Sequence, residues 1–531
     1  MQFIKIINKN IITFLVFFAI FLCGIFLHGD YGLTLDDEIY RQNGLLYYDY
    51  VKSFFFSENL QSIENSYIYT HPAIFEFFLA MIADIANIKD SKEIYQLSHL
   101  LNFMLFFISL IFFYKIIVFR FQSKLFSILG VIFLIMTPRI FSESFYNSRD
   151  IFFLSLFIFH MFFLINLIIK PTFYSCLLFS ISTALLIDAK IIGIISPIVI
   201  IFFLFLTSLN NIKFIKKNFS YFIYTIVLTF FFVLLFWPYL WSAPIKNLYF
   251  AFNNLLSTHN NMVLLNYYFG EYISSDNAPW HYRPLWFLIT TPVIVVSLFF
   301  IGTYYLFIRL TKRFIKLDKL NNSDVWRGRF EIFDIYCFLI ILLSLFITIK
   351  FNTSQFNSWR HLYFLYPMVI FVSLYGLYCM NFFLKSNLIK KIFLSLIALN
   401  LIYLLFWNIK FHPFQNVYFN IITKNYVQNK FDLDYWGLSN TNALNFIINS
   451  NNKFPVKVAT ISFSNLNQSL LKVKKTDRNK IIIVDDPNEA DFLITNYMKK
   501  FKNNFIIDET LHKKYYELIV DKIAINTIYK K

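Results

Sequence analysis

The sequence predicts an α-helical polytopic membrane protein of about eleven transmembrane helices with a small C-terminal α/β domain outside the membrane. Three observations carry this. Of 531 residues, 58% are hydrophobic and only 15% charged, a ratio no soluble core could absorb. Apolar runs recur from Ile11 to Ile409, many near the roughly 20 residues that a bilayer crossing needs. Beyond Lys410 the composition turns to Asn, Lys, Asp and Ser with short alternating stretches such as VKVATISF. The net charge of +17 reads as topology in preference to nucleic-acid binding, because much of the Lys and Arg lies in short links between apolar runs. Cys23, Cys176, Cys337 and Cys379 sit inside apolar runs without metal-ligand spacing and read as buried thiols.

In chain order, Ile11–His28 is an uncleaved first span, preceded by Lys5 and Lys9 on the cytoplasmic side. A first outer loop, 30–98, carries LTLDDEIYRQNG and, at 71–85, an apolar run with Glu76 and Asp84 that suits an interfacial helix. Leu100–Val118 runs inward to Lys115, Arg120 and Lys124, and Leu125–Met136 returns to a second polar loop, TPRIFSESFYNSRD (137–150). Ile151–Ile169 and Phe173–Ile187 bring the chain back to Asp188 and Lys190. Two further runs lead to a long aromatic interruption, Trp237–Trp286. Leu288–Ile308, Ile332–Ile349, Leu365–Leu384 and Ile392–Ile409 complete the spans, with a strongly basic link at 309–329. The expected division is a membrane domain, 1–410, and an outer α/β domain, 411–531. No internal repeat and no glycine-rich phosphate loop occur.

This topology gathers the polar chemistry on one face: Asp36, Asp37, Glu38, His71, Arg139, Glu143, Asn147, Arg149, Asp150, Asp188, Lys190, His281, Tyr282, Arg283, Arg360 and His361. Ionisable residues converging at a membrane border mark function. Carboxylates beside cations suit a reaction in which one group takes a proton and another receives departing negative charge. A base for an acceptor hydroxyl, with Arg and Lys around a phosphate leaving group, fits glycosyl transfer from a lipid-phosphate sugar. Plainer readings stand beside these. Asp37 and Asp150 suit helix N-caps, Arg139 and Arg149 suit headgroup-facing positions, and the Trp237–Trp286 rings suit an interfacial belt.

The order of Asp-Glu after the first span, His-Pro opening an interfacial helix, TPRIFSESFYNSRD and a late WRHLYFLYP resembles the C-type membrane glycosyltransferases. Within them it is similar to the protein O-mannosyltransferase and aminoarabinose-transferase branch, with its bacterial polyprenyl-phosphate-sugar-dependent relatives. The resemblance spans Met1 to about Leu384 and rests on order more than on any one motif. It implies Asp37, followed by Glu38, as catalytic base, with the neighbouring Asp36 leaving the choice between the two aspartates open. Asp150 matches the second acidic position, and Arg360 the arginine that handles the carrier phosphate. His71-Pro72-Ala73-Ile74 departs from the family's His-Pro-Pro-Leu at its second proline.

The expected function is therefore inverting transfer of one sugar, hexosyl or pentosyl, from a polyprenyl-phosphate donor to a lipid, glycan or protein hydroxyl. The catalytic candidates are Asp36, Asp37, Glu38 and Asp150. The substrate-binding candidates are His71, Arg139, Asn147, Arg149, Lys190, His281, Tyr282, Arg360 and His361. No definite cofactor is indicated, and the resembled branch often needs none; a divalent cation on Asp37, Glu38 and the donor phosphate is compatible with the residues, and no metal site is indicated by ligand spacing. The expected setting is a bacterial inner membrane with the site facing the periplasm, among membrane lipids and without nucleic acid. A lipid-linked glycan flippase or transporter, and a glycan polymerase or ligase, are the competing classes. A transporter would carry mid-membrane charges in paired halves, which this sequence lacks.

Overall fold

The computed structural model describes residues 2–56, 73–210, 212–256, 264–317, 328–350, 356–498 and 511–531. Helix α1 (Gln2–Leu27) leads through α2 (Asp37–Phe56) and α3 (Ile74–Ile85) to the long α4 (Ser91–Phe121). There follow α5 (Lys124–Met136), α6 (Pro138–Tyr146), α7 (Asp150–Ile169), α8 (Phe173–Ala189), α9 (Ile195–Asn210), α10 (Ile212–Phe236) and α11 (Pro244–Leu256). A hairpin of β1 (Leu265–Tyr268) and β2 (Glu271–Ser274) precedes α12 (Tyr282–Thr290), α13 (Val293–Leu317), α14 (Gly328–Lys350), α15 (Tyr366–Phe383) and α16 (Asn387–Lys410). Among the described residues, 7 helices are long and apolar enough to cross a membrane, within α4, α7, α10, α13, α14, α15 and α16. The bent pair α5–α6 and three shorter apolar helices, Ile11–Leu27, Phe173–Ala189 and Ile191–Phe202, account for the remaining expected runs. The protein is an integral membrane protein built of helices.

Several expected loops are structured. The polar segment 137–150 forms α6, whose Arg139, Glu143 and Asn147 are buried. Pro138 starts that helix where its missing N–H is harmless, and it drives the preceding Thr137 out of the helical region (φ −70°, ψ 112°). The chain bends by 70° between α5 and α6. The Thr137 hydroxyl donates to the Phe133 carbonyl (2.8 Å) and lies 2.6 Å from the Tyr366 hydroxyl, fixing the elbow against α15. The expected continuous span Leu288–Ile308 is likewise broken, at Thr291–Pro292, between α12 and α13. The amide of Asn420 satisfies the carbonyls of Leu288 (2.7 Å) and Thr291 (3.1 Å) near this break. The stretch after the acidic triplet is helical as α2, and α3 occupies Ile74–Ile85 of the expected interfacial helix.

The core is a single large cluster of Phe, Ile, Leu and Tyr running through α4, α5, α7, α13, α14 and α15. Helices α13 and α15 meet at glycines: a Cβ on Gly302 would lie 2.0 Å from the Val372 carbonyl oxygen, and one on Gly376 would lie 2.5 Å from that of Leu298. Small residues permit such backbone contact between helices in lipid. Gly302→Ala and Gly376→Ala should each destabilise by at least about 1–3 kcal/mol, the usual range for overpacking. Thermal unfolding in detergent measures this, and unchanged melting of both variants would refute the close crossing. Where α4 ends, Arg120 (Nε to Oδ1, 2.6 Å) and Arg309 (Nη1 to Oδ2, 2.8 Å) both donate to the buried Asp334, so two cations of the basic links tie helices together.

The C-terminal region contains α17 (Ser439–Ser450), β3 (Val456–Thr460), α18 (Leu466–Leu470), α19 (Lys475–Arg478), β4 (Ile481–Ile483), β5 (Phe492–Thr495), β6 (Lys513–Val520) and β7 (Ile523–Lys530). Its five-stranded sheet has the order β4-β3-β5-β7-β6, parallel across β4, β3 and β5 and antiparallel at β7 and β6. Helix α17 packs on it through Leu444, Ile447 and Ile448. This region is bonded to the first loop: Gln468 donates to the Thr34 carbonyl (2.6 Å), Tyr31 to Gln415 (3.2 Å), and Arg478 pairs with Asp90 (3.1 Å). Gly32 leaves room for the Leu438 carbonyl, which a Cβ there would meet at 2.3 Å.

Candidate active site

The elbow at Pro138 sets α6 so that its C-terminal end hands the chain directly to the N-terminus of α7. Asn147 is the joint. Its Oδ1 accepts from the amide of Asp150 (2.8 Å), while its Nδ2 donates to Glu143 Oε2 (2.6 Å) and Asp150 Oδ2 (3.0 Å). Asp150 thus opens α7 as a buried carboxylate, 2% exposed, at the positive end of the helix dipole. Its Oδ1 accepts from the Lys190 ammonium, delivered by the turn after α8, and its Oδ2 from Arg360 Nη1 (3.3 Å), delivered by the turn before α15. Two cations therefore share one carboxylate, and Asp36 lies close enough to Arg360 to act on it as a second countercharge. Arg360 Nε is buried and has no hydrogen-bond partner among the described residues. The guanidinium lies over the Trp436 ring at 4.5 Å, so the C-terminal region closes one side of this pocket.

A second layer supports it. Tyr363 donates to Glu143 Oε1 (2.8 Å). Arg149 faces Glu76 (3.7 Å) and lies over the Tyr40 ring (4.3 Å), with Ser148 donating to Glu76 (2.9 Å). His361 lies near enough to act electrostatically on Asp150. Both oxygens of Asp188 are buried without a hydrogen-bond partner among the described residues.

The acidic triplet divides three ways. Asp36 accepts from the Tyr40 hydroxyl (3.1 Å) and is close enough to Arg360 and Tyr435 to act on both. Asp37 is partly buried: its Oδ2 accepts from the Thr34 amide (2.7 Å), and Asp36 and Lys472 of the C-terminal region both act on its charge. Glu38 is held by the hydroxyl of Tyr95, by Gln42 (3.1 Å) and by Arg41 (3.6 Å). Of the three, Asp36 acts electrostatically on Arg360.

Burial raises the Asp37 carboxyl to about 7, against the Thr34 hydrogen bond that favours its ionised form, and burial lowers Lys472 to about 7. The folded state thus favours neutral Asp37. Its contribution to stability is complete below the ordinary carboxylate range, about 4, and is lost as pH rises through about 7. Lys472 acts in reverse, its contribution being lost as pH falls through about 7. At pH 5 an amide at position 37 replaces an already neutral group; at pH 8 it replaces a half-buried anion. Asp37→Asn should therefore raise the melting temperature relative to wild type more at pH 8 than at pH 5. Equal shifts at both pH values would contradict this placement of Asp37.

Of the other residues singled out in the sequence, Arg139 donates to the Tyr418 carbonyl (3.1 Å), lies near the rings of Trp286 (5.3 Å) and Phe419 (5.2 Å), and is close enough to Glu143 and Tyr363 to act on both. His281 bonds the Tyr268 hydroxyl (2.7 Å), and the Tyr282 hydroxyl accepts from the Ser358 amide (3.1 Å), so both belong to the hairpin wall and not to the Asp150 cluster. His71 lies outside the described residues. Glu76, Tyr363, Trp436 and Lys472 were not singled out as site residues. Trp436 and Lys472 fall in a region that reads as a separate domain, and nothing in their local sequence signals contact with the membrane helices.

No family model and no curated protein match this chain. Among solved structures it is similar to ArnT from Cupriavidus metallidurans bound to undecaprenyl phosphate, with 9% identity, a TM-score of 0.45, and coverage of 99% of this chain and 98% of that one. It is also similar to the Archaeoglobus fulgidus oligosaccharyltransferase tethered to an acceptor peptide containing the NVT sequon, with 10% identity, a TM-score of 0.46, and coverage of 91% of this chain and 68% of that one.

Proposed function

We propose that this protein is a glycosyltransferase that moves a sugar from a polyprenyl-phosphate donor to an acceptor hydroxyl at the non-cytoplasmic membrane face. One observation carries the reading: a buried pocket in which Lys190 and Arg360 share Asp150, with Arg360 Nε unpartnered among the described residues and the Asp36 carboxylate nearby. An anion is what the orphaned Arg360 donor lacks, the two cations outnumber the carboxylates once Asp36 has taken a proton, and arginine suits phosphate through its forked donors. Asp36 takes the proton from the acceptor hydroxyl. The acceptor oxygen bonds to the anomeric carbon, the carbon–oxygen bond to the lipid phosphate breaks, and the phosphate departs with the electron pair toward Arg360 and Lys190. A single displacement inverts the anomeric centre. Asp188 offers two buried acceptor oxygens for a donor hydroxyl.

Asp37 takes the supporting part, holding Thr34 and the first loop beside the C-terminal region, and Glu38 anchors α2 to α4. The family resemblance had implied Asp37 as base; the reading prefers Asp36 because Asp36 acts on Arg360 while the Asp37 carboxylate is bonded to the Thr34 amide. The leaving charge is assigned to Arg360 and Lys190, the two cations held on Asp150. The basic links at Lys115, Arg120, Lys124 and Arg309 lie where α4, α5 and α13 end away from the acidic motif, which supports a periplasmic orientation in a bacterial inner membrane. The test is purified protein in liposomes with a panel of radiolabelled polyprenyl-phosphate sugars. Release of free polyprenyl phosphate with sugar transfer is expected. Movement of intact lipid-linked sugar across the bilayer without cleavage would replace this reading with a flippase.

A further inference from the structure

Outside the charged pocket, the β1–β2 hairpin, the chain at 428–435 and the C-terminal sheet enclose a cavity of about 330 Å³. That is the lower end of the range for small-molecule sites, about 300–1,000 Å³. Its walls carry Tyr267, Tyr272, Tyr435, Tyr497, Asp432 and Glu517, and among the described residues no Lys, Arg or His lines it. The wall is built. Tyr267 and Tyr272 pair with ring centroids 4.7 Å apart, and the Tyr267 hydroxyl donates to the Asn429 carbonyl (2.7 Å). Asp432 accepts from the Tyr267 amide (2.9 Å), and Tyr497 is held at φ +64° with its hydroxyl against Thr527 (2.5 Å). A left-handed backbone at a bulky residue is uncommon and marks an imposed side-chain direction.

Tyr435 belongs to both compartments: it lines the cavity, and its ring centroid lies 5.9 Å from the Arg360 guanidinium. One residue thus separates a wall of tyrosines and carboxylates from a pocket of cations. The cation side suits the donor phosphate. The tyrosine side suits a molecule with apolar C–H faces to stack on rings and hydroxyls to donate to carboxylates, and it rejects a phosphorylated or acidic group. We infer that this cavity binds a neutral saccharide of the acceptor, making the acceptor a glycan whose hydroxyl reaches Asp36 past Tyr435. The inference rests on the glycosyl-transfer reading for its role, while the cavity's sugar binding stands on its own lining.

The test is direct binding to the full-length protein in detergent, by saturation-transfer NMR and titration calorimetry, of maltohexaose, cellohexaose, mannohexaose and chitohexaose, with a lysine-rich peptide as the contrasting probe. At least one oligosaccharide should bind, and Tyr497→Ala and Tyr272→Ala, both on partly exposed rings, should each weaken it about tenfold or more. Failure of all four oligosaccharides, binding of the peptide alone, or equal affinity in both variants would overturn it. Saccharide binding without any donor cleavage would leave the cavity assignment standing and remove the transferase reading. Donor cleavage without saccharide binding would do the reverse.

Discussion

Asp36→Asn should lower kcat for sugar transfer by about 10²–10⁴, the range a positioned general base supplies, with little change in the amount of folded protein. The asparagine keeps the size and can still accept from the Tyr40 hydroxyl, so the bond seen at 3.1 Å survives while the proton acceptor is lost. Donor affinity should hardly fall, since the phosphate is assigned to Arg360 and Lys190. The matched control is Asp37→Asn, which retains the Thr34 contact and should keep most of the activity while altering the pH dependence of stability. The measurement is single-turnover transfer by both variants at saturating donor. Near-wild-type transfer by Asp36→Asn with loss in Asp37→Asn would return the base to Asp37 and discard the present reading.

That choice between adjacent aspartates could not be made from sequence, and the reason is geometric. Residues 36 and 37 straddle the point where an extended chain enters α2, so their side chains diverge by a rotation that depends on the cap geometry, here the Thr34 amide bonding Asp37. What was legible is what hydropathy and charge encode along the chain: the runs that became α4, α7, α13, α14, α15 and α16, and the border positions of Asp150, Lys190 and Arg360, which the fold brings into one cluster. What was not legible depends on contacts between distant segments. TPRIFSESFYNSRD reads as a polar loop because its polar residues are counted without their partners. In the fold, Glu143 and Asn147 are satisfied by Tyr363 and Asp150, so the segment can be a buried helix. The Trp436 wall over Arg360, Lys472 beside Asp37 and the tyrosine cavity all come from the region after 410, and composition alone cannot show which surface such a region covers.

Arg360 and Asp150 should fail differently, and the difference separates catalysis from architecture. Arg360→Ala removes a donor assigned to the leaving phosphate and should lower kcat by about 10²–10³, as loss of one positioned charge-stabilising donor does. It also leaves Asp150 with Lys190 and Asn147, so the carboxylate is still paired and the fold should persist. Asp150→Ala leaves Lys190 and Arg360 buried together with no carboxylate between them, and breaking a buried pair in this way costs about 3–5 kcal/mol. Its main effect should be a lower melting temperature in detergent, partly restored by adding polyprenyl phosphate, because a bound anion replaces the missing countercharge. Arg360→Lys sharpens the contrast: it keeps the charge beside Asp150 but loses the forked donors, so stability should recover more than turnover. A lysine variant with full activity would mean that only charge is needed at this position, and a polyprenyl phosphate that stabilises Asp150→Ala no more than wild type would mean that the pocket does not receive the lipid's phosphate.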